Sequence, residues 1–122
     1  MKLKLDCVFA ETDSYGKVKK EVRSAHLAEI IDGTEVGGFS FEVAPKEGGV
    51  DVIVSGDGIS DQVVPNYSGK IGSSVFQVGF KKESGKKTAN ALDMFLRRVN
   101  KTLSKTESGC NVLLIRDAEI VE

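Results

Sequence analysis

The sequence has few of the residues that usually carry catalysis or bind metals. It contains one histidine and two cysteines in 122 residues. His26 would have to serve any Ser-His or Cys-His pair, and no recognised nucleophile motif accompanies it. His26, Cys7 and Cys110 also lie far apart, without the paired spacing of zinc ligands. We therefore expect a protein that is not an enzyme and that has no metal or cofactor.

Disulfides and membrane spans have equally little support. Cys7 and Cys110 lie in strand-like surroundings without a secretion signal, so we expect two buried thiols rather than a disulfide. No apolar run approaches the roughly 20 residues of a membrane span. The first residues alternate between apolar and polar and do not form the continuous apolar core of a signal peptide. We therefore expect a cytoplasmic protein with no membrane partner.

A lysine-rich segment before the long predicted helix departs from the nucleotide-binding P-loop. That motif needs four residues between its glycines and a Ser or Thr directly after Gly-Lys. Here five residues separate Gly79 from Gly85, and Lys87 precedes Thr88. The spacing argues against nucleotide hydrolysis. A glycine, two lysines and a free helix N-terminus still favour binding of an anion.

The pattern of apolar residues predicts one α+β domain over residues 1–122. Strands with alternating apolar residues outnumber helices, and hairpin-length turns join most of them, so we expect a mostly antiparallel sheet of five to seven strands. One long C-terminal amphipathic helix packs on this sheet, and a final C-terminal strand follows it. The continuously apolar residues 112–115 predict that this last strand is covered on both faces.

The helix is predicted over residues 88–105. Its apolar residues recur at the spacing of one helical face and occupy an arc of about 100°; they are Leu92, Phe95, Leu96, Val99 and Leu103. Thr88 is the expected N-cap. Two other segments are less distinct. Residues 24–33 suit either a short helix, which we favour, or a strand ending at Asp32-Gly33, and residues 59–74 predict a loop with a short strand near Val63.

Charge is the strongest functional clue in the sequence. Residues 80–105 contain eight cations and two acids, a net charge of +6, whereas residues 26–79 contain two cations and eight acids, a net charge of −6. The total of −1 conceals this separation. A cationic face attracts phosphate backbones through counterion release, largely without sequence preference.

Three interpretations of the cationic helix face remain open. It is a solvated surface, a binding surface for nucleic acid or another polyanion, or a surface that pairs with an acidic face of a protein partner or a second copy. Exposed tyrosines beside lysines could stack bases, and Met94, among the cations, favours a protein interface. The candidate polyanion-binding residues are Lys81, Lys82, Lys86, Lys87, Arg97, Arg98, Lys101, Lys105, Tyr15 and Tyr67.

Overall fold

A computed structural model describes residues 2–15, 17–23, 25–56, 59, 63–71, 74–80 and 86–121, with the backbone alone described over 63–71 and 74–80 and at residues 86 and 89. It confirms the predicted α+β class. The elements in chain order are β1 (Lys2–Thr12), β2 (Val18–Val22), α1 (Ala25–Ile31), β3 (Thr34–Val36), β4 (Phe39–Lys46), β5 (Gly49–Ser55), β6 (Val63–Ile71), β7 (Ser74–Phe80), α2 (Lys86–Leu103) and β8 (Val112–Val121).

The first strand is the centre of a six-stranded antiparallel sheet. β8 pairs with β1 along residues 2–10. On the other edge of β1, β5 pairs with residues 3–7 and β2 with residues 9–12, and the sheet continues through β4 to β3. Residues 7–10 are all buried, so both faces of this part of β1 are covered. Residues 2–6 alternate between buried and more exposed positions, as in a half-buried strand.

β6 and β7 form a separate two-stranded antiparallel hairpin, and β7 lies alongside β8. The short strand predicted near Val63 is present but extends over nine residues, Val63–Ile71, so the loop predicted around it is wrong over those residues. Pro65 and Asn66 suggested a loop, since proline cannot donate a ladder hydrogen bond. The register of the hairpin shifts between Val64 and Ser68, so these residues lie in an irregularity of the strand.

The helix α2 lies on the sheet face formed by alternate residues of β1. Phe95 stacks on Phe41 of β4 with the ring centroids 4.0 Å apart and the planes 3° from parallel. The five apolar residues predicted to face the core are all buried. Thr88 is fully buried as the third residue of the helix, so its predicted role as N-cap is wrong. Its position four residues before Leu92 places it on the same apolar face.

The ambiguous segment after β2 is a helix, as favoured. α1 buries Leu27, Ala28 and Ile31 and packs against β4. The residues after it form β3, a three-residue strand that the sequence pattern did not indicate. Gly33 makes this tight connection possible, because its φ of +80° lies in the left-handed region and its amide donates to the Phe41 carbonyl at 2.9 Å.

A cluster of ion pairs occupies the sheet face opposite α2. The Lys46 ammonium lies 2.7 Å from a carboxylate oxygen of Asp6 and 2.7 Å from one of Asp51. The Arg116 guanidinium lies 3.0 Å from Asp6 and donates to the Gly48 carbonyl at 3.2 Å. Arg116 is an extra residue in β8, since Asp6 pairs with Asp117 and Cys7 pairs with Ile115. This bulge directs Arg116 toward the β4–β5 turn and ties that turn to the central strand.

Candidate functional site

The outward face of α2 carries a continuous row of exposed side chains. Six members lie on α2 at the three- and four-residue spacing of one helical face, and Lys105 follows two residues after the helix ends at Leu103. All are exposed: Lys87, Asn90, Met94, Arg97, Arg98, Lys101 and Lys105. Five of these seven residues are cations. The buried face holds the helix on the sheet, so the opposite face is presented to solvent in a fixed orientation.

Both arginines in this row, Arg97 and Arg98, have partners. The Arg97 guanidinium lies 2.9 Å from the Asp93 carboxylate one turn earlier, as expected of an acid four residues before a base. Arg98 donates to the carbonyl oxygen of Glu35 at 3.4 Å, which links the helix to β3. Within the described part of the chain, no acid lies within ion-pair distance of Lys87, Lys101 or Lys105. These three cations are the most available to an external anion.

Met94 lies in the middle of the cationic row with 47% of its surface exposed. An apolar side chain at this position adds nothing to the core, which lies on the other side of the helix. Its exposure agrees with the placement predicted from the sequence.

Several of the predicted anion-binding residues lie outside the described side chains. Lys81 and Lys82 are outside the described residues altogether, and the side chains of Lys86 and Tyr67 are not described. Lys86 is the first residue of α2, and Tyr67 lies within β6 rather than in the predicted loop. The described part of the candidate surface therefore consists of the α2 row and Tyr15.

Tyr15 is 94% exposed in the turn between β1 and β2. The turn is ordered by Asp13, whose carboxylate oxygen accepts hydrogen bonds from the amides of Tyr15 and Lys17, each at 2.9 Å. This is the local arrangement by which an aspartate stabilises a turn. These hydrogen bonds hold the backbone of Tyr15, and its ring lies in solvent.

The structure divides the acidic region predicted from residues 26–79. Glu29, Glu35, Glu42 and Glu47 are exposed. Asp51 instead belongs to the ion-pair cluster, where Lys46 contacts it at 2.7 Å and Lys4 at 3.9 Å. The sum over residues 26–79 includes both Lys46 and Asp51, so their pairing leaves the net charge of −6 unchanged and removes Asp51 only from the unpaired acids. Asp57 and Asp61 lie outside the described residues.

The histidine and the two cysteines, which are the side chains most often used in catalysis, lie apart from the α2 row. The His26 side chain is 77% exposed and lies 4.0 Å from Glu29, one turn further along α1. Cys7 and Cys110 are buried free thiols, as expected. Burial raises the pKa of both thiols, so both stay protonated at neutral pH and are poor nucleophiles. Among the described residues, no group of His, Cys, Asp or Glu side chains is arranged to hold a metal ion.

The Lys20 ammonium of β2 lies close to Gly109, in the segment that follows α2, and this proximity was not predicted from the sequence. The strand β2 lies at an edge of the sheet, and four of its five residues are exposed. The contacts that bring Lys20 near the segment after α2 involve residues about 90 positions apart in the chain. The lysines themselves were visible in the sequence, but their proximity to the helix was not.

Comparison with known proteins shows the fold but no family. No protein-family model matches the chain, and no curated protein matches it. A cofactor-independent phosphoglycerate mutase from Thermoplasma acidophilum DSM 1728 is similar in structure, with a TM-score of 0.70 and 23% sequence identity. The similarity covers 96% of this chain and 36% of the mutase, so the chain spans about a third of that protein.

At this level of identity the similarity to the mutase concerns the fold alone. The described helices include none that is both long and apolar enough to cross a membrane. The class that the fold and the comparisons define is therefore an α+β domain with an antiparallel sheet. Any more specific function depends on the surface of the domain.

Proposed function

We propose that this protein is a small non-catalytic binding module whose α2 face binds a polyanion, with nucleic acid as the best candidate. The observation that carries the proposal is the exposed row formed by α2 and Lys105, in which five of seven side chains are cations. The activity of the mutase is not extended to this chain, because about two thirds of that protein has no counterpart here.

The dimensions and rigidity of the row suit an extended anion. Lys87 and Lys101 are 14 residues apart on one helix, which corresponds to about 21 Å at 1.5 Å per residue. The apolar face of α2 is fully buried, so binding does not have to order the helix. Each cation that contacts a phosphate releases condensed counterions, and the affinity then depends steeply on salt concentration.

Charge reversal of two cations on α2 tests this proposal. The double variant Arg98→Glu/Lys101→Glu changes two exposed side chains that form no ion pair with an acid among the described residues. We expect it to weaken binding to immobilised nucleic acid by about tenfold or more at low salt. The slope of log affinity against log salt should fall by about 2, one unit for each lost phosphate contact.

The matched control is Lys2→Glu/Arg23→Glu, which changes the net charge equally. Both side chains are exposed. Lys2 alternates with Leu3 on β1 and therefore lies on the sheet face opposite α2, and Arg23 follows β2. The control should retain most of the affinity. Equal retention of the wild type and both variants, or no retention of the wild type, would show that α2 does not bind nucleic acid.

Met94 favours a second candidate, which is a protein partner or a second copy of the chain. Exposed methionine is typical of adaptable protein-binding surfaces, and the exposed glutamates supply an acidic face that could pair with α2 of another copy. In this case Met94→Lys would disrupt a complex recovered in pull-down or a dimer detected by light scattering. A mass equal to one chain and no recovered partner would exclude this alternative.

A further inference from the structure

The last turn of α2 lies over the part of the sheet where β8, β1 and β2 meet. The side chain of Asn100 accepts a hydrogen bond from the amide of Leu113 at 3.0 Å. Leu113 pairs with Phe9 of β1, and Phe9 pairs with Val22 of β2. A short chain of direct contacts thus connects the C-terminal end of α2 to the β1–β2 hairpin.

The segment that follows α2 is also fixed to this hairpin. The side chain of Asn111 bonds to both backbone polar groups of Thr12. The Asn111 side-chain oxygen accepts from the Thr12 amide at 2.9 Å, and the Asn111 side-chain nitrogen donates to the Thr12 carbonyl at 3.2 Å. A β-carbon built on Gly109 would lie 3.1 Å from a carboxylate oxygen of Glu11 and 3.9 Å from the Lys20 ammonium. Lys20 therefore lies beside the segment that follows α2, in which Lys105 precedes Gly109 by four residues.

Lys20 lies on the same side of the sheet as α2. Phe9 is part of the core that α2 covers, and Glu11 lies two residues further along β1 on the same face. Lys20 is the cross-strand partner of Glu11, and directly opposed residues of antiparallel strands point to the same face. The hairpin therefore continues the surface of α2 past its C-terminal end.

The joint surface is cationic and ends in an exposed aromatic ring. Residues 93–109 and 11–20 together contain the cations Arg97, Arg98, Lys101, Lys105, Lys17, Lys19 and Lys20, and the acids Asp93, Glu107, Glu11 and Asp13. Seven cations against four acids leave a net charge of +3. Glu11 lies 3.2 Å from Lys19 and 3.9 Å from Lys20. Tyr15, at the tip of the hairpin, is held in an ordered turn with its ring in solvent.

We infer that the β1–β2 hairpin is a second contact region and that the polyanion is a single-stranded nucleic acid. Its phosphates run from the C-terminal half of α2 to Lys20 and Lys17, and one base stacks on Tyr15. Single-strand binders combine a cationic track with exposed aromatic rings in this way. A duplex keeps its bases stacked on one another, so it cannot use the tyrosine. This inference rests on the proposed function of α2.

Substitution of Tyr15 is the direct test. We would measure by fluorescence anisotropy the binding of labelled oligothymidylate of about 12 nucleotides, within the site sizes of known single-strand binders. Tyr15→Ala should weaken this binding by about tenfold, and it should leave the affinity for a duplex of equal length and for heparin unchanged. Tyr15→Phe retains the stacking ring and should bind like the wild type. Because Tyr15 is almost fully exposed, neither substitution disturbs the core.

The lysines of the hairpin supply a second, independent variant. Lys17→Gln/Lys20→Gln should lower the salt dependence of oligothymidylate binding by about 1.4, or about 0.7 for each phosphate contact to a single strand. The control Lys2→Gln/Arg23→Gln removes the same charge elsewhere and should leave the slope unchanged. Repeating the titrations with oligouridylate shows whether the natural ligand is DNA or RNA, and binding of either supports the inference.

The outcomes separate this inference from the proposal on which it rests. If the α2 double variant loses binding but Tyr15→Ala and the hairpin lysine variant bind single strands like the wild type, α2 binds a polyanion and the inference about the hairpin is overturned. An equal loss on duplex and single strand in Tyr15→Ala would also overturn it. If the wild type binds neither oligonucleotides nor heparin, the proposed function itself fails.

Discussion

Lys46 lies between the carboxylates of Asp6 and Asp51 at the surface of the central sheet, and this arrangement shifts the pKa values of Asp6 and Lys46. Hydrogen bonding to Lys46 is the main cause that lowers the pKa of Asp6, and Arg116 adds to the effect. Hydrogen bonds to Asp51 and Asp6 raise the pKa of Lys46 in turn. These side chains are about one third exposed, so solvent screens their interactions.

The shifted pKa values predict how stability depends on pH. A carboxyl group whose pKa is lowered by folding stabilises the protein above its unfolded-state pKa, near 3.8 for Asp6, and this contribution is lost as the pH falls through the folded-state value. The contribution of Lys46 is present below about 10.5 and is lost as the pH rises through its raised pKa. Asp6→Asn should therefore lower the free energy of unfolding by about 0.5–1 kcal/mol at neutral pH.

Urea denaturation at several pH values would measure this effect. The difference between Asp6→Asn and the wild type should shrink as the pH falls below about 3.8, because the wild-type carboxyl is then protonated. Asp117→Asn is the control, since Asp117 pairs with Asp6 in the strand register but forms no ion pair among the described residues. A difference that persists unchanged at pH 2 would show that the charge of Asp6 is not the cause.

The helix α2 illustrates at the scale of an element how one sequence pattern specifies two surfaces. Phe95 is completely buried against Phe41, and Met94, one residue earlier, is 47% exposed. Phe95→Ala should lower the free energy of unfolding by about 3–5 kcal/mol, since it leaves a cavity and removes the aromatic stack. Met94→Ala should change it by less than about 0.5 kcal/mol.

Chemical denaturation of the two variants, with circular dichroism as the probe, tests this assignment. Similar losses in both would mean that the orientation of the helix is wrong. The pair is matched because neighbouring residues of one helix share helical context and differ in the direction of their side chains. Stability measurements also keep this structural claim separate from any claim about binding.

Elements with local periodicity were predictable from the sequence, and elements defined by distant pairing were not. The spacing of Leu92, Phe95 and Val99 was sufficient to place the buried face of α2. The strand β3 has three residues, too few to show an alternation, and its hydrogen-bond partner β4 defines it. Pro65 and Asn66 predicted a loop in place of β6. The strand includes both residues because its register with β7 shifts between Val64 and Ser68.

The candidate site was predictable to a similar extent. The exposed row on α2 follows from the helical period, so the sequence could identify Arg98 and Lys101. The position of Lys20 beside the segment after α2 follows from the pairing of β2 with β1 and from the hydrogen bonds between Asn111 and Thr12, which are 99 residues apart. No local pattern encodes that contact. The same limit applies to Asp51, whose pairing with Lys46 removes it from the free acidic surface.

At the scale of the whole molecule, the main feature is the separation of charge within a chain whose net charge is −1. Cations line α2 and the adjoining hairpin, and exposed glutamates occupy α1, β3, β4 and the turn after β4. Under the proposed function, this distribution supplies a local excess of cations that the net charge conceals. It also leaves self-association through unlike faces as the alternative to binding of nucleic acid.

The mass of the protein in solution, measured by light scattering with and without a short single-stranded oligonucleotide, tests the central claim most directly. We expect the wild type to have the mass of one chain, 13.1 kDa, when alone and to form a complex when the oligonucleotide is present. The Arg98→Glu/Lys101→Glu variant should not form this complex at the same salt concentration. A mass that the oligonucleotide leaves unchanged would contradict binding of nucleic acid. A multiple of 13.1 kDa without oligonucleotide would instead support pairing between copies.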